Sequence, residues 1–277
     1  MTTQRKFYCL IIYSTAFLIC VFALGPVLWA LSTSLKPDSL IFSQPPQWIP
    51  REITLVHYQE VLQNQNMVRF YLNSFLTALW STGVALVVGV LGAYGFSRFK
   101  FPGNRSIMVG IMLTRMLPRV SLIIPFFITL QKLRLYNTRP GLVLVFLVIT
   151  LPLSLWMLKG FFDSIPYEIE EAAIVDGCSP LGILIKINIP MVLPAIASVG
   201  MFIFITAWNE FLFALTMTRG NTLRTISVGL AFYIDEFGIR WGSLMAASIL
   251  MSIPAVVVFS IFSKFLIKGL SEGAVKG

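Results

Sequence analysis

The chain has 277 residues, of which 57% are hydrophobic and only 12% are charged, and its mean hydropathy is +0.82. A soluble domain carries roughly 25% charged residues, so this composition excludes an ordinary soluble globular protein. The formal net charge of +9 comes from Lys and Arg scattered through the polar segments rather than gathered in a stripe, which argues against nucleic-acid binding.

Apolar runs alternate with short polar segments along the chain. A bilayer core about 30 Å thick needs about 20 apolar residues of helix, because each residue rises about 1.5 Å. Backbone groups in lipid must bond within the segment, and no alternation typical of barrel strands is present, so the runs are predicted to be helices. Six spans are predicted, over Tyr8–Leu31, Leu72–Gly95, Ile107–Leu130, Gly141–Phe161, Ala195–Met217 and Ser243–Phe265. We therefore expect an all-α polytopic membrane protein with a single domain over residues 1–277.

The first span follows Arg5 and Lys6, as the core of a secretory signal peptide would. Its apolar run is about twice as long as a signal core of roughly 7–15 residues, and no small-x-small cleavage site follows it. We expect this helix to be retained.

The third span contains two arginines, Arg115 and Arg119. Spaced i, i+4, they are predicted to share a helix face near mid-span, with Pro118 loosening the backbone between them. An ionisable group at bilayer depth costs at least about 2.5–3.5 kcal/mol, so such groups usually face a cavity or a partner.

The segment between the fourth and fifth spans, residues 163–194, has the signals of two short helices. The first is capped by Ser164 or Asp163, with Pro166 in its first turn. Acidic side chains lie toward the positive end of this helix: Glu168, Glu170 and Glu171. Gly177 is predicted to end it, because glycine most easily adopts the left-handed conformation that closes a helix.

The second short helix starts at Ser179 and Pro180. One of its faces is predicted to carry Leu181, Leu184, Ile185 and Asn188. Pro190 and Pro194 then interrupt it before the membrane resumes. Two readings stay open: a docking element for another protein, which small residues at Ala172, Ala173 and Gly177 allow to approach closely, or an amphipathic helix resting on the lipid surface.

The fifth span contains Trp208, Asn209, Glu210 and Phe211 in sequence. An aromatic face beside an amide and a carboxylate suits a polyhydroxyl ligand, because the ring packs on the apolar face of a sugar and the polar groups bond its hydroxyls. We keep two readings. Either Glu210 and the two arginines line a solute pathway, or Glu210 pairs with an arginine and locks helices together.

Signatures of catalysis and of metal binding are missing from the sequence. No GxxxxGK[ST] or HExxH motif occurs, and His57 is the only histidine. Cys9, Cys20 and Cys178 are isolated, so neither a zinc site nor a disulfide scaffold is expected. We expect no catalytic residue, no metal and no cofactor in this chain.

The segment between the fourth and fifth spans resembles a known motif. Glu171-Ala172-Ala173, three residues, Gly177, nine residues and then Ile187-Asn188-Ile189-Pro190 is similar to the EAA motif of importer permeases of the ATP-binding-cassette (ABC) superfamily. The resemblance implies the type I ABC importer permease fold and a cytoplasmic coupling helix that sits in a groove of an ATPase subunit. The implied ATPase-coupling residues are Glu171, Ala172, Ala173, Asp176, Gly177, Pro190, Lys276 and Gly277.

Further stretches resemble carbohydrate-uptake permeases of the maltose-transporter G-subunit type. They lie at Pro26–Pro37, Asn73–Phe75, Ala93–Gly103, Leu151–Phe162, Ala207–Phe211 and Gly273–Gly277. For Trp208 and Asn209 the resemblance implies a role in the pathway or in helix packing. Together with the charged groups of the membrane spans, the predicted substrate-pathway residues are Arg115, Arg119, Trp208, Asn209 and Glu210. Arginines at these two positions depart from the family, and they indicate either a distinctive substrate or a salt bridge to a partner subunit.

The resemblance also implies partners. They are a second homologous permease, two ATPase subunits that bind ATP and Mg, and an extracytoplasmic solute-binding protein docked on the loops Ser32–Tyr71 and Arg219–Trp241. The distribution of Lys and Arg does not decide the orientation of the chain in the membrane, because ten lie on one side of the spans and nine on the other. A coupling loop must face the cytoplasm, so both termini are expected on that side of the inner membrane.

Two other functions are compared with a sugar importer. A secondary active solute transporter, the main alternative, would show chains of membrane carboxylates or an inverted repeat, and neither is seen. A passive channel has no use for a docking element. We expect a permease subunit that translocates an oligosaccharide, a disaccharide or a glucosyl-polyol, a range that the sequence does not narrow further.

Overall fold

The computed structural model describes the backbone of residues 3–235 and 238–274 and the side chains of residues 8–234 and 238–265. Its helices, numbered in chain order, are α1 Thr3–Ser34, α2 Asp38–Ile41, α3 Val56–Gln63, α4 Gln65–Arg98, α5 Asn104–Leu113, α6 Ile123–Lys132, α7 Arg139–Asp163, α8 Tyr167–Val175, α9 Pro180–Ile183, α10 Ile189–Met191, α11 Leu193–Trp208, α12 Leu212–Met217, α13 Ile226–Leu230 and α14 Trp241–Ala274. The strands β1 Ile234–Asp235 and β2 Gly238–Ile239 pair antiparallel.

The predicted spans are confirmed as helices, with two corrections. Four helices of the described residues are long and apolar enough to cross a membrane, and two bent pairs of helices bring the number to as many as six. The third predicted span is bent by 102° between residues 116 and 119, because Pro118 removes a backbone donor and places Leu117 in an extended conformation. The fifth predicted span is also discontinuous, since α11 ends at Trp208 and α12 begins at Leu212.

The chain divides into two compact units, residues 1–68 with 230–253 and residues 69–229 with 254–277. The expectation of a single domain stays a prediction. In the first unit, buried polar contacts join α3 to the chain that follows α1 and to the start of α14. Nε2 of His57 lies 2.9 Å from the carbonyl oxygen of Lys36, and Ser243 donates a hydrogen bond of 2.5 Å to Glu60.

Among the described side chains of the first unit, Lys36 is the least exposed cation, with 1% of its surface accessible. Its ammonium lies 4.3 Å from the centre of the Trp29 ring, and burial lowers the pKa of the lysine. The predicted outer segment after α1 is therefore folded around buried polar groups.

The core of the second unit lies where α4, α7 and α11 pack together. Glycines allow the helices to approach closely, as in other membrane bundles. A Cβ added at Gly92 of α4 would lie 2.8 Å from Leu155 of α7, and one at Gly200 of α11 would lie 3.0 Å from Leu86 of α4. The buried cluster consists of Ala85, Val90, Ala93, Tyr94, Leu158, Phe162, Ile165, Leu184, Val192, Ala195, Val199 and Ile203. This core connects the long helices to residues 163–194.

Candidate coupling element and solute pathway

Residues 163–194 form the two short helices that the sequence predicts. Gly177 follows α8 with a φ of 79°, the left-handed conformation, and its N–H donates to the carbonyl of Ile174. The N–H of Cys178 donates to Ala173, which completes the closing turn. Ser179 caps α9 by accepting a hydrogen bond of 3.2 Å from the N–H of Gly182.

The cap predicted for the first short helix is wrong. α8 begins at Tyr167, directly after Pro166, and no side chain caps it. Ser164 donates back to the carbonyl of Phe161 instead. The carboxylate of Asp163 accepts hydrogen bonds of 2.6 Å from Ser97 and from Lys159, so neither predicted group is free to cap.

The shared face predicted for the second short helix is also wrong in part. Leu184 and Asn188 are buried, whereas more than half of Leu181 and of Ile185 is exposed. Residues 184–188 form a π-helical turn, and the wider turn changes which side chains share a face.

A buried ion pair holds α8 against the end of α4. Nε of Arg98 lies 2.5 Å from Oε1 of Glu170, and the two side chains are only 5% and 9% exposed. Oε1 also accepts a hydrogen bond of 2.8 Å from Asn188, while Arg98 donates to the carbonyl of Ile165 at 3.1 Å. A buried carboxylate with a cation and an amide as partners forms strong, charge-assisted hydrogen bonds. We call Arg98, Glu170 and Asn188 the brace.

Contacts with the aromatic ring and hydroxyl of Tyr167 extend the brace. The guanidinium of Arg98 lies 4.6 Å from the centre of the Tyr167 ring, and the hydroxyl of Tyr167 donates to the carbonyl of Ser97 at 3.0 Å. Sequence reasoning grouped Glu170 with the acidic residues of the first turn and assigned no role to Arg98. The only sign of the brace in the sequence is that Glu170 and Ala173 are three residues apart, which places them on the same face of α8.

The face of α8 opposite the brace is exposed. Of the predicted coupling residues, Ala173 is buried, and Glu171, Ala172, Asp176, Gly177 and Pro190 are exposed. Apolar side chains lie among them, with Ile174 60% exposed and Val175 87% exposed. The predicted coupling residues Lys276 and Gly277 lie outside the described residues.

Arg115 and Arg119 lie on either side of the break at Pro118. Each belongs to a separate 3₁₀ turn, so the prediction that they share one helix face is wrong. Both side chains are exposed, and within residues 8–234 and 238–265 neither has a carboxylate within 4.0 Å.

Glu210 lies between α11 and α12, is 5% exposed, and acts as a local cap. Its carboxylate accepts hydrogen bonds of 3.0 Å from the N–H groups of Phe213 and Ala214, at the start of α12. Neither Arg115 nor Arg119 lies within 4.0 Å of this carboxylate. The predicted pairing of Glu210 with an arginine therefore forms no salt bridge among the described side chains.

Trp208 and Asn209 are adjacent in sequence and differ in exposure. Trp208 is fully buried, with its ring 5.4 Å from that of Tyr71 and 6.0 Å from that of Phe204. Asn209 is exposed, and its amide donates to the carbonyl of Ile205. Helix packing uses the indole, whereas the side chain of Asn209 is exposed.

Solved structures with similar architecture define the class of fold. A crystal structure of a bacterial ABC transporter involved in the import of the acidic polysaccharide alginate aligns with a TM-score of 0.80 at 22% identity, covering 95% of this chain and 98% of that one. A methionine ABC transporter, MetNI, aligns with a TM-score of 0.58 over 76% of this chain and 97% of that one, at 16% identity. The fold is the all-α type I ABC importer permease fold.

Sequence comparisons define the family. Residues 85–272 match the family described as binding-protein-dependent transport system inner membrane component. The sulfoquinovosyl glycerol transport system permease protein SmoH of Agrobacterium fabrum is 34% identical over 96% of this chain and 93% of its own. The trehalose/maltose transport system permease protein MalG of Thermococcus litoralis is 35% identical over 95% of both chains. The chain belongs to this family of membrane components of binding-protein-dependent transport systems.

Proposed function

We propose that this chain is the permease subunit of an ATP-driven importer that moves a sugar or sugar-like solute into the cytoplasm. The observation that carries the proposal is the coupling element: two short helices, held to the membrane helices by a buried ion pair, with an exposed apolar face. Relatives named for the transport of trehalose and maltose, diacetylchitobiose and sulfoquinovosyl glycerol support a sugar as the solute.

ATP hydrolysis is assigned to a separate subunit, and the chain itself is non-catalytic. Exposed apolar side chains outside the bilayer, such as Ile174 and Val175, are costly unless a partner covers them. A groove on an ATPase subunit is the partner that fits this face. The remaining partners are a second homologous permease, a second ATPase subunit and an extracytoplasmic solute-binding protein.

The brace explains how movement of an ATPase subunit reaches the membrane helices. Arg98 belongs to α4, Glu170 to α8, and Asn188 to the π-helical turn that leads into α10. Because all three are buried and bonded, α8 moves with the end of α4 rather than independently. A displacement of α8 by the ATPase therefore tilts the long helices and opens or closes the pathway.

The break at Pro118 is the proposed pathway segment. Backbone outside regular helix is tolerated at membrane depth only where protein buries it or where it lines a water-filled cavity. The exposed arginines on both sides of the break favour the cavity, since a lipid-facing arginine carries a large cost. Glu210 and Trp208 support the neighbouring backbone and ring packing, and Asn209 presents an amide to the solute.

Gly177→Asp tests the coupling role. This substitution adds a side chain at a positive φ on the exposed face, so the protein should insert and assemble while ATP-driven uptake falls by at least tenfold. Gly103→Asp is the matched control, because Gly103 also has a positive φ, of 82°, and an added Cβ there would meet Ile107 at an ordinary 3.8 Å. Uptake and ATPase activity are measured in vesicles containing the complex. Equal uptake by the two variants would reject the coupling assignment.

A second measurement separates this function from that of a secondary transporter. The permease should copurify with an ATPase, and uptake should require ATP rather than an ion gradient. Orientation is tested by labelling single cysteines in a background without Cys9, Cys20 and Cys178. A cysteine near Pro166 should react only from the cytoplasmic side, and reaction from outside would reject the proposed topology.

A further inference from the structure

Outside the coupling element, nearly all the charged residues of the second unit are Lys or Arg. Residues 69–162 contain ten Lys and Arg and no Asp or Glu. From residue 177 to 229, Glu210 is the only acidic residue. Its carboxylate is buried and bonded to the backbone at the start of α12, so it offers no accessible negative charge.

Two of these cations lie where the membrane part of the unit is irregular. Arg115 and Arg119 are exposed on both sides of the 102° break, with no carboxylate in salt-bridge range among the described side chains. Neighbouring Met116 is 79% exposed, so the break is open rather than packed. Water is needed here, because both the free backbone groups and the guanidinium groups require hydrogen-bond partners.

The N-terminal end of α7 lies about 37 Å from the coupling element, because α7 has 25 residues that each rise about 1.5 Å. More cations surround this end. There Asn73 joins three segments: it accepts a hydrogen bond of 3.1 Å from Arg139 and donates to the carbonyls of Thr222 and Arg224. The cations of this end are Arg69, Lys132, Arg134, Arg139, Arg219 and Arg224. With the topology proposed above, this end faces outward, where the positive-inside rule disfavours such charge.

We propose that the solute is anionic: a sugar that carries a carboxylate, sulfonate or phosphate group, drawn in by the outer cations and held at the break by Arg115 and Arg119. The proposal rests on the proposed import function and names its substrate class. A wet cavity lined by charge of one sign focuses the field and raises the local concentration of the opposite ion. Guanidinium groups also bind carboxylate and phosphate oxygens through paired hydrogen bonds, which selects the anionic group over a hydroxyl.

The experiment measures the potential at the break directly. Met116→Cys is introduced in the background without Cys9, Cys20 and Cys178, and the complex is purified in lipid nanodiscs. Two thiol reagents of similar size are compared, the anionic sulfonatoethyl methanethiosulfonate and the cationic trimethylammonioethyl methanethiosulfonate. The rate ratio, anionic over cationic, should fall about tenfold when Arg115→Gln and Arg119→Gln are added.

Matched variants keep the test specific. Arg115→Lys with Arg119→Lys retains the charge and should retain the ratio, even if the glutamine variants fold poorly. Arg105→Gln removes an exposed cation about 15 Å along α5 and should leave the ratio unchanged. An unchanged ratio in the double glutamine variant, or no reaction with either reagent, would overturn the proposal.

A transport measurement tests the substrate class itself. Cells that express the full importer are given a mixture of cellobiose and its uronic acid derivative, and depletion of the anionic sugar is expected. Depletion of the neutral sugar alone would overturn the anionic class and leave the import function standing. Failure of the permease to copurify with an ATPase, or uptake that does not require ATP, would instead count against the import function. The two failures are therefore distinguishable.

Discussion

Arg98 and Arg115 belong to the same compact unit and lie in opposite surroundings. The side chain of Arg98 is 5% exposed, contacts Glu170 at 2.5 Å and stacks on Tyr167. Arg115 is exposed, lies in a 3₁₀ turn and has no carboxylate within salt-bridge range among the described side chains. One arginine completes a rigid contact between elements, and the other leaves its charge available.

The difference separates two uses of charge in one membrane protein. A buried pair fixes geometry, because removing either partner leaves a desolvated charge behind. An exposed cation at an irregular backbone contributes little to stability and can bind a passing anion. The proposed transmission of movement uses the first arrangement, and the proposed binding of an anionic solute uses the second.

Glu170→Ala should have the largest effect on stability. The variant leaves the Arg98 guanidinium buried without its carboxylate, and the apparent free energy of unfolding should fall by about 3–5 kcal/mol. Titration of the purified protein with sodium dodecyl sulfate measures the change. Glu168→Ala, an exposed acid in the same turn of α8, is the control and should have a small effect. Equal losses of unfolding free energy for the two substitutions would show that the buried pair of Arg98 and Glu170 stabilises the protein no more than an exposed acid does.

The double variant Arg98→Met with Glu170→Leu sharpens this result. Apolar side chains of similar volume should recover most of the stability, since no buried charge remains. Uptake should stay low if the brace transmits movement, because α8 is no longer bonded to α4. Full recovery of both stability and uptake would show that the ion pair has no role in coupling.

Asn188→Leu should have an intermediate effect. It removes one of the donors to Glu170 while the ion pair with Arg98 remains, so a loss of about 1–3 kcal/mol is expected. The same titration measures it, with Gln63→Leu as an exposed amide control. A loss as large as that of Glu170→Ala would mean that Asn188, and not the ion pair, holds the element in place.

Arg115→Gln and Arg119→Gln should have the smallest effect on stability, within about 0.5 kcal/mol, because both side chains are exposed. Uptake should nevertheless fall severalfold. Stability and assembly of the complex are measured together with uptake. A large loss of assembly would indicate that a carboxylate of another subunit pairs with these arginines, and the contrast with Arg98 would then disappear.

Several features were predictable because they depend on neighbours in the chain. The long apolar runs predicted α1, α4, α7 and α14, since length and hydropathy alone decide whether a helix spans a bilayer. Gly177, Ser179 and Pro180 predicted the closing turn and the second short helix, because capping depends on the local backbone.

Other features depend on residues far apart in the chain, and only the tertiary structure decided them. Arg98 and Glu170 are separated by 72 residues, so no local pattern indicates that they form a buried pair. The same holds for Trp208, whose amphipathic ring suited a sugar in the sequence and whose packing against Tyr71 and Phe204 buries it. Pro118 was visible in the sequence and predicted a loosened backbone, but the size of the bend, 102°, is known only from the structure. Local propensity fixes where a helix starts and stops, whereas contacts between distant segments decide which charges are buried and which stay open.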